Sequence, residues 1–195
     1  MREREIVRDL SPATAGIRMT GPFMRWRERN ILEPKMGSND VNAQSFHIIA
    51  ADHTGITVAN LERSLAFWRD VLGFELSHRP HQTGALASEI TGVPGAEISI
   101  AVLKGHGHKI ELLEYVAPPD RQHLRPRPCD VGSVHVAFVV NDLDAVLGTI
   151  AASGWQAAGT PQTLTAGPNA GKRVVYVRDP DGSTIEFMQL PPGAG

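Results

Sequence analysis

Cysteine is almost missing from this chain: Cys129 is the only one in 195 residues, so no internal disulfide can form. An excess of either charge is missing too. Nineteen Lys and Arg stand against 21 Asp and Glu, for a formal net charge of -2 and a pI of about 6.4. Such a chain has no basic field to draw it as a whole to nucleic acid or a membrane. No apolar run approaches the roughly 20 residues that a membrane-spanning helix needs. The N-terminus, Met1 to Leu10, alternates Arg with Glu and Asp and lacks the apolar core of a secretory signal. These absences lead to the expectation of a soluble, cytoplasmic protein that meets a small-molecule substrate locally. With 42% hydrophobic and 21% charged residues, the composition suits one globular domain or two small fused modules.

Residues 1–45 are Arg-rich, carry Pro22 and Pro34, and show no sustained period. They read as an extension, for which a docked arm, an arm crossing a homodimer and plain disorder are all compatible with the composition. Regular patterning begins near Phe46, and with it an internal repeat. The stretch from His53 to Leu65, HTGITVANLERSL, aligns without gaps on His135 to Leu147, HVAFVVNDLDAVL. Each copy is an alternating, β-branched run that passes into helical spacing: Leu61, Leu65, Trp68 and Leu72 in one, Leu143, Val146, Leu147 and Ile150 in the other. Asn60 and Asp142 occupy N-cap positions. Each copy later reaches a strand carrying Ile-Glu, at Ile110-Glu111 and Ile185-Glu186, after the turn sequences Gly105 to His108 and Asp179 to Gly182. The predicted order in each half is strand, helix and three strands, giving a domain over 46–192 made of modules 46–117 and 131–192 joined by a Pro-rich linker, 118–130. In the second module, the strand expected within Gln156 to Thr165 is poorly marked.

Strand alternation sorts these residues by face. His53, Gly55 and Thr57 share one side, as do His135, Ala137 and Val139; Glu111 lies with Leu113 and Tyr115, and Glu186 with Thr184 and Met188. The opposite sides are apolar. A lone strand His or Glu is ordinarily solvated, but here both recur at matching positions of a repeat. Two imidazoles and two carboxylates suit one divalent ion such as Ni, Co, Zn, Mn or Fe. The metal set is therefore His53, Glu111, His135 and Glu186.

From about Ala51 to Pro191 the sequence resembles the vicinal oxygen chelate family, which includes lactoylglutathione lyase, methylmalonyl-CoA epimerase, extradiol dioxygenases and fosfomycin-resistance transferases. The resemblance rests on His53-Thr-Gly-Ile-Thr-Val with Asn60-Leu61, on Phe67-Trp-Arg-Asp-Val-Leu-Gly-Phe74, on Ile110-Glu-Leu-Leu, on His135-Val-Ala-Phe, and on Asp179-Pro-Asp-Gly-Ser-Thr-Ile-Glu186. It implies an α+β fold in which two βαβββ modules form an open, barrel-like cup around the ion. Glyoxalases are similar in presenting His, Glu, His and Glu, whereas extradiol dioxygenases use two His and one Glu. Thr57 stands where many glyoxalases carry an Arg that helps hold glutathione, a departure that puts glutathione in doubt as substrate.

The expected function is an isomerase or lyase working through a metal-stabilised enediolate or enolate on a small oxygenated acid or thioester, with Glu111 and Glu186 as the catalytic carboxylates. Tyr115, Thr57, Lys172 and Arg173 are the candidate substrate contacts. An Fe(II) extradiol-type dioxygenase on a catechol-like ring is the alternative, and a non-catalytic sequestering or resistance protein a second one. His106 and His108 at a Gly-rich hairpin tip read as solvated side chains, and His78, His81 and His123 as loop residues without a metal role.

Overall fold

Two helices start where the sequence places a capping side chain. Asn60 Oδ1 accepts from the Arg63 N–H at 2.8 Å, and Asp142 Oδ1 accepts from the Ala145 N–H at 3.0 Å, each satisfying an amide that the first helical turn leaves unpaired. A second cap comes from the far end of each module. Glu114 Oε2 accepts from Leu61 N–H at 2.7 Å, and Gln189 Oε1 accepts from Leu143 N–H at 3.1 Å. The repeat thus extends to the hydrogen bonds that fix its helices to its sheets.

The computed structural model describes residues 46–193; the expectations for residues 1–45 lie outside the described residues. In the first module β1 (Thr54–Thr57) leads to α1 (Leu61–Ala66), β2 (Glu75–His78), β3 (His81–Gln82), α2 (Gly84–Thr91), β4 (Glu97–Gly105) and β5 (His108–Ala117). The second has β6 (His135–Val140), α3 (Leu143–Ala151), β7 (Gln156–Ala157), β8 (Gln162–Thr163), β9 (Arg173–Arg178) and β10 (Thr184–Gln189). The sheets run β1-β5-β4-β2 and β6-β10-β9-β7, with β3 and β8 pairing β4 and β9. In each, the first strand lies parallel to the last, and the remaining pairings are antiparallel. Two open mixed sheets with their helices form the α+β fold expected of a repeated βαβββ unit.

The apolar sheet faces and the helices of both modules meet in one core that includes Leu61, Leu65, Trp68, Leu112, Leu143, Ile150 and Phe187. Phe67 stacks on Trp155 at 4.1 Å, while Trp68 sets its edge against Phe74 and Phe138. The helix expected to continue to Leu72 instead widens into a π-helical stretch at Phe67–Val71, closed by Leu72 N–H donating to Phe67 O. The widening falls where adjacent aromatics, Phe67 and Trp68, are both buried. Sequence spacing did not indicate α2. Only Ala87 of that helix is buried, whereas Leu86 and Ile90 are 63% and 66% exposed, so no periodic stripe faces a core. The poorly marked strand of the second module resolves into the two-residue strands β7 and β8.

Between the modules the chain is pinned at several points. Arg121 donates to Val58 O and Ala59 O at 3.2 Å each. Asp181 Oδ2, in the β9–β10 turn, accepts from Ala59 N–H at 2.9 Å and from Arg63 Nη2 at 2.6 Å. Burial alone raises the Asp181 carboxyl, but these donors outweigh it and hold the group below its ordinary value. Gly182 follows at φ +99°, and a Cβ there would lie 3.0 Å from Arg125 Cα and 3.2 Å from Leu124 O.

Gly182→Ala is expected to destabilise the protein by roughly 1–3 kcal/mol through left-handed strain and the backbone clash. By contrast, Gly148→Ala, on α3 with open space around it, should stabilise by up to about 1 kcal/mol; thermal unfolding of both variants measures the contrast. The Asp181 contacts contribute stability that is present above the unfolded carboxyl value of about 3.9 and lost as pH falls through the lower folded value. Asp181→Asn should therefore flatten the loss of stability between neutral pH and about pH 3, followed by urea unfolding at each pH.

Candidate metal and active site

Strand register brings each histidine to a glutamate. Gly55 pairs with Glu111 across β1 and β5, and Ala137 pairs with Glu186 across β6 and β10. His53 and His135 lie two residues before those partners on the same face, so each is the diagonal neighbour of a glutamate, a separation that long side chains bridge. His53 Nε2 is 3.3 Å from Glu111 Oε2, and His135 Nε2 is 3.2 Å from Glu186 Oε2. Two donors at about 2.1 Å from a shared ion, and roughly 90–105° apart around it, lie about 3.0–3.3 Å from each other. Each pair has the dimensions of half a coordination sphere.

The two halves remain separate within the chain. Among the described residues no three of His, Cys, Asp and Glu come together closely enough to hold a metal ion. His135 borders a cleft of about 500 Å³ together with Gly55 and Thr57, and Glu186 borders a hollow of about 450 Å³ with Tyr176, Val174, Leu164 and Pro128. The roomier cleft of about 690 Å³ lies around the β4–β5 hairpin tip and Asp52, beside His53 but without Glu111.

The setting of the halves differs. Opposite Glu111 on β4 stands Val102, whereas opposite Glu186 on β9 stands Tyr176, whose ring centroid is 4.9 Å from that of His135. Tyr115 and Leu113 share the Glu111 face and pack against the cluster of Ala87, Ala96, Ile98, Ile100 and Val102, so α2 and β4 give this half an apolar wall. Thr57 is exposed on β1. On His53, the second ring nitrogen Nδ1 lies 2.9 Å from Asp52 Oδ1. Asp52 also accepts from Lys109 Nζ, and Lys109 and His53 hold its carboxyl below the ordinary value.

Arg173 does not join the metal-facing side. It shares the pleat of Val175 and Val177, which belong to the core, and its guanidinium is bound to both Asp144 oxygens at 2.9 and 3.0 Å. Alternation along β9 therefore puts it on the side opposite Glu186. Lys172 precedes the strand and donates to Asn169 Oδ1 at 2.8 Å. His106 and His108 are structural instead of merely solvated. His106 Nε2 donates to Leu72 O at 2.8 Å from a φ of +52°, and His108 Nε2 is hydrogen-bonded to Thr54 Oγ1 at 2.9 Å, tying the hairpin to β1. His81 pairs with Glu97 at 3.2 Å and His78 with Ser77 at 3.2 Å. Asp52 and Tyr176 were absent from the sequence-based site. Their nearest signals were adjacency to His53 and the strand alternation that places Tyr176 beside Glu186.

Comparison with known proteins agrees with this architecture. The profile of the Glyoxalase/Bleomycin resistance protein/Dioxygenase superfamily matches residues 50–187. A 2-epi-5-epi-valiolone epimerase from Actinomyces sp is 36% identical over 151 residues, 75% of this chain and 82% of that protein. Lactoylglutathione lyase of Haemophilus influenzae is 29% identical over 142 residues, 70% of this chain and 90% of the relative. A glyoxalase family protein of Bacillus cereus superposes with a TM-score of 0.65 at 23% identity, over 75% of this chain and 97% of its own. With the profile match spanning both repeats, the chain belongs to the Glyoxalase/Bleomycin resistance protein/Dioxygenase superfamily.

Proposed function

We propose that this chain is a metal-dependent isomerase of the epimerase type, acting on a small oxygenated substrate at a carbon beside a carbonyl, in a site completed by two copies of the chain. The observation that carries the reading is the repeated His–Glu pairing at 3.3 and 3.2 Å. His53 and Glu111 of one copy, with His135 and Glu186 of a second, would hold the ion; a homodimer then has two equivalent sites. Glu111 beside His53 favours four protein ligands over the two-His, one-carboxylate arrangement of an extradiol-type dioxygenase.

A divalent ion bound there supplies a Lewis acid that polarises a substrate oxygen and makes the neighbouring C–H acidic. The two glutamates stand on different modules, so the assembled site presents a carboxylate from either side of the reacting carbon. One takes the proton and the other returns it to the opposite face, which inverts the centre. Leu113 and Tyr115 on one wall and Tyr176 with Val174 on the other would exclude water around that carbon, with Thr57 on β1 and Lys172, just before β9, as the polar substrate contacts. The relationship to 2-epi-5-epi-valiolone epimerase supports inversion of a stereocentre. Thr57 weighs against glutathione.

Two measurements test this reading. In D₂O, with 2-epi-5-epi-valiolone as first substrate, inversion should place deuterium at the inverted carbon, and Glu111→Gln or Glu186→Gln should lower kcat by roughly 100-fold or more; inversion without deuterium uptake would exclude the two-carboxylate route. The shared site is tested by co-expressing a His53→Ala/Glu111→Ala chain with a His135→Ala/Glu186→Ala chain. Neither alone should retain metal, but their heterodimer regains one intact site and so one ion per pair. A site contained in one chain gives no recovery.

A further inference from the structure

His53 sits in a row of contacts that His135 lacks. Its Nδ1 lies 2.9 Å from Asp52 Oδ1, the other Asp52 oxygen is bonded by Lys109 Nζ, and Nε2 faces Glu111 Oε2 at 3.3 Å. Lys109 lies two residues before Glu111 on β5 and on the same face, so the strand that supplies the glutamate also holds Asp52 against the ring through Lys109. In the second module Val134 precedes His135 and is 79% exposed, and the ring of Tyr176 lies beside that of His135, tilted 40° to it.

A neutral imidazole carries one N–H, and a carboxylate accepts but cannot donate. Asp52 and Glu111 therefore compete for a single ring proton, one at Nδ1 and the other at Nε2. The shorter contact is to Asp52, whose orientation Lys109 fixes. With the proton on Nδ1, the Nε2 lone pair is directed at the Glu111 side, where a metal donor is needed. A stabilising role does not account for the arrangement, because the Asp52 side chain is 71% exposed and exposed ion pairs contribute little to folding.

We propose that Asp52, braced by Lys109, is a positioning residue that keeps His53 in its Nδ1–H tautomer and presents Nε2 for coordination. The metal half of this statement rests on the function proposed above; the tautomer half does not. Full-length protein labelled with ¹⁵N-histidine, metal-free at pH 9, reports the tautomer through long-range ¹H–¹⁵N couplings, with His53 assigned by loss of its signals in His53→Gln. The wild-type ring should be mainly Nδ1–H. Asp52→Ala should shift it toward Nε2–H, and Asp52→Asn, whose amide oxygen still accepts, should keep the wild-type pattern. Titration with Zn(II) alone should show binding weakened about 10- to 100-fold in Asp52→Ala and largely restored in Asp52→Asn. An unchanged tautomer in Asp52→Ala overturns the proposal, as does a shifted tautomer with wild-type Zn(II) affinity. If the tautomer depends on Asp52 but the wild-type protein binds no Zn(II), the metal reading fails and the ring assignment stands.

Discussion

The parallel pairing of the first and last strands of each module is the constraint on which the rest depends. It opposes Gly55 to Glu111 and Ala137 to Glu186, and a slip of one residue in either ladder would turn a glutamate into the core and a leucine or phenylalanine out of it. Burial of Ile110 and Leu112 in one strand, and of Ile185 and Phe187 in the other, forbids that slip. The same apolar residues that close the core therefore aim the glutamates outward. The caps made by Glu114 and Gln189 then hold each helix to the strand carrying its glutamate, so helix, core and site share one register.

Much of this was legible in the sequence because it is periodic. Alternation separated His53, Thr57, Glu111 and Tyr115 from Ile56, Val58, Ile110 and Leu112, and the capping residues marked both helix starts. What escaped notice was set by tertiary surroundings. Helix α2 turns only Ala87 inward, so amphipathic spacing had nothing to signal. The π-helical stretch depends on Trp155 and Phe138, far away in sequence, receiving Phe67 and Trp68. Arg173 is a cation beside a Gly-containing segment, but it stands three residues from Tyr176, the partner of Glu186, so alternation along β9 turns it to the opposite face. His106 and His108 resembled solvated tip residues because their partners, Leu72 O and Thr54 Oγ1, come from other elements.

The separation of the two His–Glu pairs follows from how the repeat is packed. Both apolar sheet faces and both helices contribute to one core, and side chains on the other faces are left pointing away from it. Contacts between the modules include the ring pair Phe67–Trp155 and the Asp181 contacts to Ala59 and Arg63, and none of these uses His53, Glu111, His135 or Glu186.

Internal repetition brings an orientation problem with it. A site built from two identical halves has a twofold axis, so a ligand that lacks that axis can be held in two equivalent orientations, one the half-turn of the other. The two halves of this chain are no longer identical. Val102 faces Glu111 where Tyr176 faces Glu186, and Asp52 stands beside His53 where Val134 stands beside His135. Divergence at these positions removes the axis, so in the site proposed above the two orientations would no longer be equivalent even though the His–Glu pairs repeat.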